Sequence, residues 1–440
     1  MNVIQLNRNS GSTNTKAPEN GIIAALDVGS TKICCLIGEV KADRRRAPDD
    51  ADARQINVLG VGHHAARGIR CGSVVDLEEA EKAIRLSVDA AERMAGVTID
   101  QIYVNVTGGR PQCQTFRGAT DVSSSAVGSH DLHRVVDIAM DKIDPGRRVV
   151  LHATPIRFTL DDARGVRAPF GMYADRIGVD VNVVTVEPGA MRNLGMVVEN
   201  CHLNVAGFVM APYAAGRSVL VSDETELGVT LIDLGGSTTS ISVFAEGKLL
   251  FADVLPIGGT HITSDIARGL STTIAQAERL KTLSGNALPS LYDDRELVTI
   301  AQLGEHGADA VQKVPRSKLT SIIRPRVEEI FELVGQRLDN TPATRKAGRR
   351  VVLAGGGNQL TGIREAASQV LERNVRLGMP HGLSGLPDAA RSGAFAVSTG
   401  LLKYAAKPDV HTAVLPQITN VSGANGSYFR RMGQWIKESF

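Results

Sequence analysis

Apolar and polar positions along this chain follow two periods, and the places where one gives way to the other mark its elements. Val229-Thr230-Leu231-Ile232 is a short apolar run that ends on Asp233 and two glycines. Beyond them Ser240 and Ser242 alternate with Ile241 and Val243. That pattern predicts strand, tight turn, strand, with Gly235 and Gly236 free to take the positive-φ geometry that residues with a Cβ resist. Ile22 to Ile37 repeats the device with an apolar strand, Asp27, Gly29, Ser30-Thr31-Lys32 and a second apolar strand. A third glycine turn, Gly355-Gly356-Gly357-Asn358, follows the apolar run Val351 to Ala354 and leads to a helical pattern from Thr361.

The segments between the turns read in the same way. Ile56 to Gly62 is a strand. Asp76 caps a helix with Glu79 three residues on; Leu77, Ala80, Ile84, Val88, Ala91 and Ala95 form its apolar face, and Gly96 stops it. From Gln101 to about Val179 the texture changes: a strand at Ile102 to Val106, a short amphipathic helix from Leu132 to Ile143, and a strand region from Val149 to Leu160. Together these predict an inserted α+β module. The main fold resumes at Val181 to Val186, and a helix follows with Met191, Leu194, Val197, Val198 and Cys201. In the second half a third strand covers Lys248 to Pro256, and a turn at Gly258-Gly259 feeds another helix. Glu278 and Lys281 lie one helical turn apart; they either reach a nucleoside at a domain cleft or form a surface i,i+3 pair. Ile323, Val327, Ile330, Phe331, Val334 and Leu338 make the face of a long helix in which Pro325 must lie in the first turn.

Both ends of the chain depart from this texture. Met1 to Asn20, rich in Asn, Ser and Thr, is expected to be a disordered leader, and Lys41 to Arg54 a charged, solvated loop. Lys407 to Gly426 has no periodicity and reads as a linker. On the helix that follows, Tyr428, Phe429, Met432, Trp435, Ile436 and Phe440 share one face, while Arg430, Arg431 and Lys437 lie opposite. That arrangement predicts an anchor lying in the plane of an anionic membrane surface.

Composition narrows the class. At 440 residues, two or more domains are expected. With 43% hydrophobic and 22% charged residues, the chain reads as soluble and globular. A net charge of +2 without a basic stripe gives no reason to expect nucleic acid as a partner. The five cysteines (Cys34, Cys35, Cys71, Cys113, Cys201) have no metal-site spacing and read as reduced thiols of a cytoplasmic protein. No apolar run approaches the ~18 residues of a spanning helix, and the polar N-terminus is not a signal peptide.

The chemistry lies in the turns. A glycine turn after a strand can aim several N–H groups at one anion. A carboxylate beside a phosphate would repel it unless a divalent cation lies between them. Two such turns from separate halves, with the third glycine turn, suit a nucleotide clamped between related domains.

Asp27-Val-Gly-Ser-Thr-Lys, Asp233-Leu-Gly-Gly-Ser-Thr, Gly258-Gly-Thr-His-Ile-Thr-Ser-Asp-Ile-Ala, Ala277-Glu-Arg-Leu-Lys, Gly355-Gly-Gly and the terminal amphipathic helix together resemble FtsA, the bacterial actin-like cell-division family. The resemblance runs from about Gly21 to Phe440. It implies an α/β, actin-like (ribonuclease-H-type) two-domain ATPase fold with an inserted α+β 1C subdomain and a C-terminal amphipathic helix. In that frame 1–20 is the leader, and 21–100, 181–222 and 385–406 form subdomain 1A. The insert 1C covers 101–180; 223–265 and 322–384 form 2A, and 266–321 forms 2B. The linker is 407–426 and the membrane-targeting helix 427–440.

The resemblance also implies ATP with Mg2+ in the cleft. Asp27 and Asp233 would hold the ion through its waters, and Gly29, Ser30, Thr31 and Lys32 would face Gly235, Gly236, Ser237 and Thr238 across the phosphates. Gly259, Glu278, Lys281, Gly355, Gly356 and Gly357 would complete the nucleotide site. Ser237 stands where the second turn commonly carries a third glycine, and its side chain is expected to loosen the backbone's approach to phosphate. The implied partners are FtsZ (at 2B), other copies of the chain in a filament, an anionic membrane and late cell-division proteins. The implied place is the cytoplasmic side of the inner membrane at the septum, with at most slow ATP hydrolysis. The alternative is a soluble sugar-kinase-like phosphotransferase, which shares the phosphate turns and has no use for the tail.

Overall fold

The computed structural model describes residues 21–42, 54–304, 311–408 and 411–412. The chain folds into two halves around sheets of the same topology. In the first, Gly21–Val28, Lys32–Ala42 and Arg54–Ala65 form an antiparallel meander, and Gln101–Val106 and then Asn204–Met210 add in parallel on the other side of Gly21–Val28. In the second, Val229–Leu234, Thr239–Ala245 and Lys248–Leu255 form the meander, with Arg350–Ala354 and Asn374–Leu377 in parallel. Numbered within each half, both sheets run 3-2-1-4-5.

Helices Ala211–Val219 and Ala396–Ala406 lie between the halves. A Cβ on Gly400 would run into the carbonyl of Ala214, so the two helices cross backbone to backbone. Ser242 Oγ donates to the Pro212 carbonyl at 3.4 Å, which ties the second sheet to the first of these helices. Thr239–Ala245 is buried along its whole length. The Ser/Ile alternation therefore belongs to a strand covered on both faces, with the Ser242 hydroxyl bonded to a carbonyl.

The insert is a third sheet. Gln112–Asp121, Arg176–Val186 and Val149–Leu160 pair antiparallel, with Ala163–Val166 along the outer edge and the Ser129–Asp141 helix packed against them. Two expectations are corrected here. Gln101–Val106 belongs to the main sheet, and Val181 to Val186 continues an insert strand that starts at Arg176. Both are apolar strands of ordinary composition, and which neighbour they pair with is decided by contacts far away in sequence. The insert also meets the second half: Asn182, buried, donates to the Leu249 carbonyl at 2.9 Å.

Smaller differences have local causes. The Arg54–Ala65 strand outruns Ile56 to Gly62 at both ends. The expected cuts at 265/266 and 321/322 fall inside the helices Gly259–Gly269 and Arg316–Asp339. Pro325 is the tenth residue of the latter, not part of its first turn. Leu319, Ile323, Val327, Ile330, Phe331, Val334 and Leu338 are buried on one side of this helix. Burying each is worth roughly 2 kcal/mol, which outweighs the roughly 3 kcal/mol of an interior proline. After the third glycine turn a 3-10 turn, Gly356–Gln359, precedes the helix Ile363–Leu371. Within the expected linker, His411–Thr412 pairs with the insert strand at His152 and Ala153. The leader, most of the charged loop, the linker apart from 407–408 and 411–412, and the amphipathic helix lie outside the described residues.

Candidate functional site between the halves

The first turn joins the Gly21–Val28 strand to the Lys32–Ala42 strand. Gly29 N–H donates to the Lys32 carbonyl at 3.0 Å, so the turn closes on itself within four residues. Asp27, buried at the end of the strand, accepts from Asn105 Nδ2 at 3.0 Å, while Asn105 Oδ1 accepts from Val28 N–H at 2.6 Å. Lys32 Nζ donates to the Ala394 carbonyl at 2.9 Å and lies 3.2 Å from the centroid of the Phe395 ring.

The second turn repeats the closure, with Gly235 N–H donating to the Thr238 carbonyl at 2.9 Å. Val28 pairs with Ile33, and Leu234 with Thr239. In space, therefore, Gly236 matches Ser30, Ser237 matches Thr31 and Thr238 matches Lys32. The Ser-Thr pairs of the two turns are one residue out of step, a shift that lining up the letters hides. Neither Gly235 nor Gly236 has a positive φ, which corrects the expectation for both. Gly236 is required by proximity: a Cβ there would enter the space of Thr31 Cγ2. The two turns, from opposite halves, touch.

Two further segments complete the wall. Gly355 does have a positive φ, 84°, and a Cβ on it would strike Asp233 Oδ1 and the Leu234 carbonyl. Gly356 and Gly357 follow in the 3-10 turn, which Asn358 fastens by donating to the Leu353 and Gly378 carbonyls at 3.2 and 3.3 Å. Gly259 opens the Gly259–Gly269 helix; its N–H and that of Thr260 donate to the Gly235 and Gly236 carbonyls at 2.9 and 2.7 Å. Lys281 Nζ donates to the Gly259 carbonyl at 3.1 Å, to Thr263 Oγ1 at 2.8 Å and to Glu278 Oε2 at 2.7 Å. Glu278 and Lys281 are thus an i,i+3 pair whose lysine reaches the start of the helix that is hydrogen-bonded to the second turn.

Burial sets the electrostatics. Desolvation pushes the Asp27 carboxyl up to about 6 against the pull of Lys32. It pushes Asp233 up to about 7, with the Asp27 charge adding to the rise and Lys32 opposing it. Burial also lowers Lys32, against the charges of Cys34, Asp27 and Asp233. Two carboxylates and one ammonium share a buried space, so a cation there would relieve both acids. Among the described residues, no group of three or more His, Cys, Asp or Glu side chains gathers to hold a metal alone. Cys34 and Cys35 are buried beside the first turn; burial raises the Cys34 thiol to about 12 and Cys35 well above its usual value, so both are packing groups.

Sequence reasoning missed Asn105 and Cys71. Asn105 is the one polar side chain at the buried end of the Gln101–Val106 strand, and that position was its signal. Cys71, on the short hairpin Ile69–Arg70 with Ser73–Val74, donates its N–H to Ser237 Oγ at 3.0 Å. The neighbouring Gly72 donates to Ser30 Oγ at 3.4 Å. Nothing in the local pattern marks that contact.

Known proteins were compared with this chain. Residues 230–400 match the family described as "Cell division protein FtsA", and residues 108–185 match "SHS2 domain inserted in FTSA". A curated relative from Rhizobium meliloti, "Cell division protein FtsA", is 45% identical over 422 residues, 95% of each chain. Proteins of the same description from Pseudomonas aeruginosa and Escherichia coli K12 are 32% and 31% identical, covering 95% and 97% of this chain and 98% and 100% of their own. Among solved structures, a "PilM-PilN type IV pilus biogenesis complex" chain superposes with a TM-score of 0.59 at 14% identity, over 88% of this chain and 99% of its own. MreB5 of Spiroplasma citri, solved bound to ADP, gives a TM-score of 0.53 at 12% identity, over 88% and 97%. The fold is actin-like. Among the described residues, no helix is long and apolar enough to cross a membrane.

Proposed function

The chain belongs to the FtsA family of bacterial cell-division proteins, and from that premise we propose that it is a nucleotide-dependent assembly protein that ties the division machinery to the membrane. The observation that carries the reading is the meeting of two acid-bearing turns from opposite halves, with Gly236 kept bare so that Thr31 can approach it. ATP is the proposed ligand. Mg2+ would neutralise charge between the phosphates and the carboxylates.

In this reading Asp27 and Asp233 hold the ion's waters, and Asn105 orients Asp27 through its amide. Lys32 leaves the Ala394 carbonyl to meet phosphate. The N–H groups of Ser30, Thr31, Gly236 and Ser237 face the phosphates, and Gly355 leaves space beside Asp233. Closing on the ligand would fix the angle between the halves and favour a row of copies, with at most slow hydrolysis.

The remaining parts follow from the family and the sequence. The segment 427–440 would lie on the anionic inner face of the cytoplasmic membrane at the septum. FtsZ would bind around 266–321, and late division proteins would reach the assembly. Each basic residue of the tail contributes roughly 1 kcal/mol near such a surface, so single copies bind reversibly and a row of them firmly. The named relatives are cell-division proteins, which leaves the phosphotransferase alternative without support. The test is co-sedimentation with anionic liposomes, with and without Mg-ATP and FtsZ. Deleting 426–440 is expected to abolish liposome binding and leave calorimetric ATP binding intact. Liposome binding by the shortened chain, or no ATP binding by the full chain, would overturn the corresponding half.

A further inference from the structure

The hairpin at Ile69 to Val74 touches the second half at Ser237, through a hydroxyl to which the nucleotide reading gives no task. Its two central residues, Cys71 and Gly72, have φ of 47° and 71°, the left-handed pair of a type I′ turn. Glycine adopts this freely, whereas a cysteine there costs roughly 1–2 kcal/mol. Strain of this kind persists where surrounding contacts over-determine it.

Those contacts are visible on both sides. Toward its own half, Gly72 packs so closely on Thr107 and Gly108 that a Cβ would not fit. Toward the other half, Cys71 N–H donates to Ser237 Oγ at 3.0 Å, and Cys71 Sγ lies 3.9 Å from the Ser237 carbonyl oxygen. Gly72 N–H, directed at Ser30 Oγ, fixes the hairpin to the first turn as well. Ser237 is buried and has no positive φ, so its backbone makes no demand for glycine.

We propose that Ser237 is a latch between the halves: its hydroxyl holds the Cys71 N–H, keeps the cleft closed and slows exchange of its contents. The side chain thereby acts on closure, where the sequence suggested only a looser approach to phosphate. The exchange part rests on the proposed nucleotide site. The latch itself does not.

The test uses the full chain with Ser237→Ala, and Ser237→Thr as the variant that keeps a hydroxyl. Alkylation of Cys71 by N-ethylmaleimide is followed by mass spectrometry in nucleotide-free protein, with Cys201 as internal reference because its thiol donates to the Glu81 carbonyl within the first half. Losing one hydrogen bond of typical net strength should speed Cys71 alkylation about fivefold. Dissociation of a fluorescent ATP analogue should quicken by a similar factor, and Ser237→Thr should keep Cys71 alkylation at the parent rate. Ser237→Gly repeats the experiment if the alanine chain does not fold. Equal Cys71 alkylation in the parent and the hydroxyl-free variants would overturn the latch. Faster alkylation with unchanged analogue dissociation would overturn its part in exchange. If no chain binds the analogue, the nucleotide reading fails and the alkylation rates alone decide the latch.

Discussion

Asp27 and Asp233 end equivalent strands of the two halves, yet their neighbours on the adjoining parallel strand differ. Across from Asp233 stands Ala354, which has no side-chain donor. Beside Asp27 stands Asn105, whose amide donates to the carboxylate and accepts from the main chain at Val28. The turns differ in the same sense: Lys32 in the first matches Thr238 in the second. One half holds its acid ready-oriented and partly compensated, while the other leaves its acid bare and brings in the backbone of Gly355 instead. A duplicated topology thus yields two unequal sides of one cleft.

The largest effect should come from forcing the sides apart. Gly236→Ala places a methyl against Thr31, and overpacking of that kind costs roughly 1–3 kcal/mol. Mg-ATP affinity is therefore expected to fall between about tenfold and a hundredfold by calorimetry. Unchanged affinity would mean that the turns need not touch to bind. Next in size is Asn105→Ala, which would make the first side as bare as the second. It strips a donor from Asp27 and leaves the buried Val28 N–H unpaired, a loss of about 1–3 kcal/mol in a denaturant titration. Stability within experimental scatter of the parent would show that the asymmetry has no energetic content.

The smallest effect separates the two acids by pH. A carboxyl whose pKa rises on folding takes up protons, so the ligand-free fold gains stability in acid and loses it as pH climbs through the folded pKa. For Asp27 that loss runs from about 4 to about 6, and for Asp233 it extends to about 7. Asp233→Asn should accordingly remove the loss that extends to about 7, while Asp27→Asn should remove its own loss and ease that of Asp233 as well, because the Asp27 charge adds to the rise of Asp233. A loss that still ran undiminished to about 7 in Asp27→Asn would show that the two carboxyls do not feel each other's charge.

Much of this was legible in the sequence where a local pattern carries a local cause. The acid-ended strands, the glycines after them and the Asp76-capped helix all stand where the pattern puts them; Asp76 accepts from Glu79 N–H at 3.1 Å and Gly96 ends the helix in the left-handed region. What stayed hidden depends on pairing at a distance. Gln101–Val106 reads as a strand, but nothing in it says that it lies beside Gly21–Val28. Ser237 reads as an intruder in a glycine turn until Cys71, 166 residues away, is seen to need its hydroxyl. Glu278 and Lys281 form the i,i+3 pair that their spacing offers, and only the fold shows that the lysine also reaches the Gly259 carbonyl.

The crossing of Ala211–Val219 with Ala396–Ala406, where Gly400 rests on the Ala214 carbonyl, sets the kind of joint this molecule can have. A bearing made of bare main chain has no rotamers to adjust and no void to compress, so it can roll but has little play along its axis. Its stiffness is set by two small residues that carry no reactive group, and a single methyl added at position 400 would seize it.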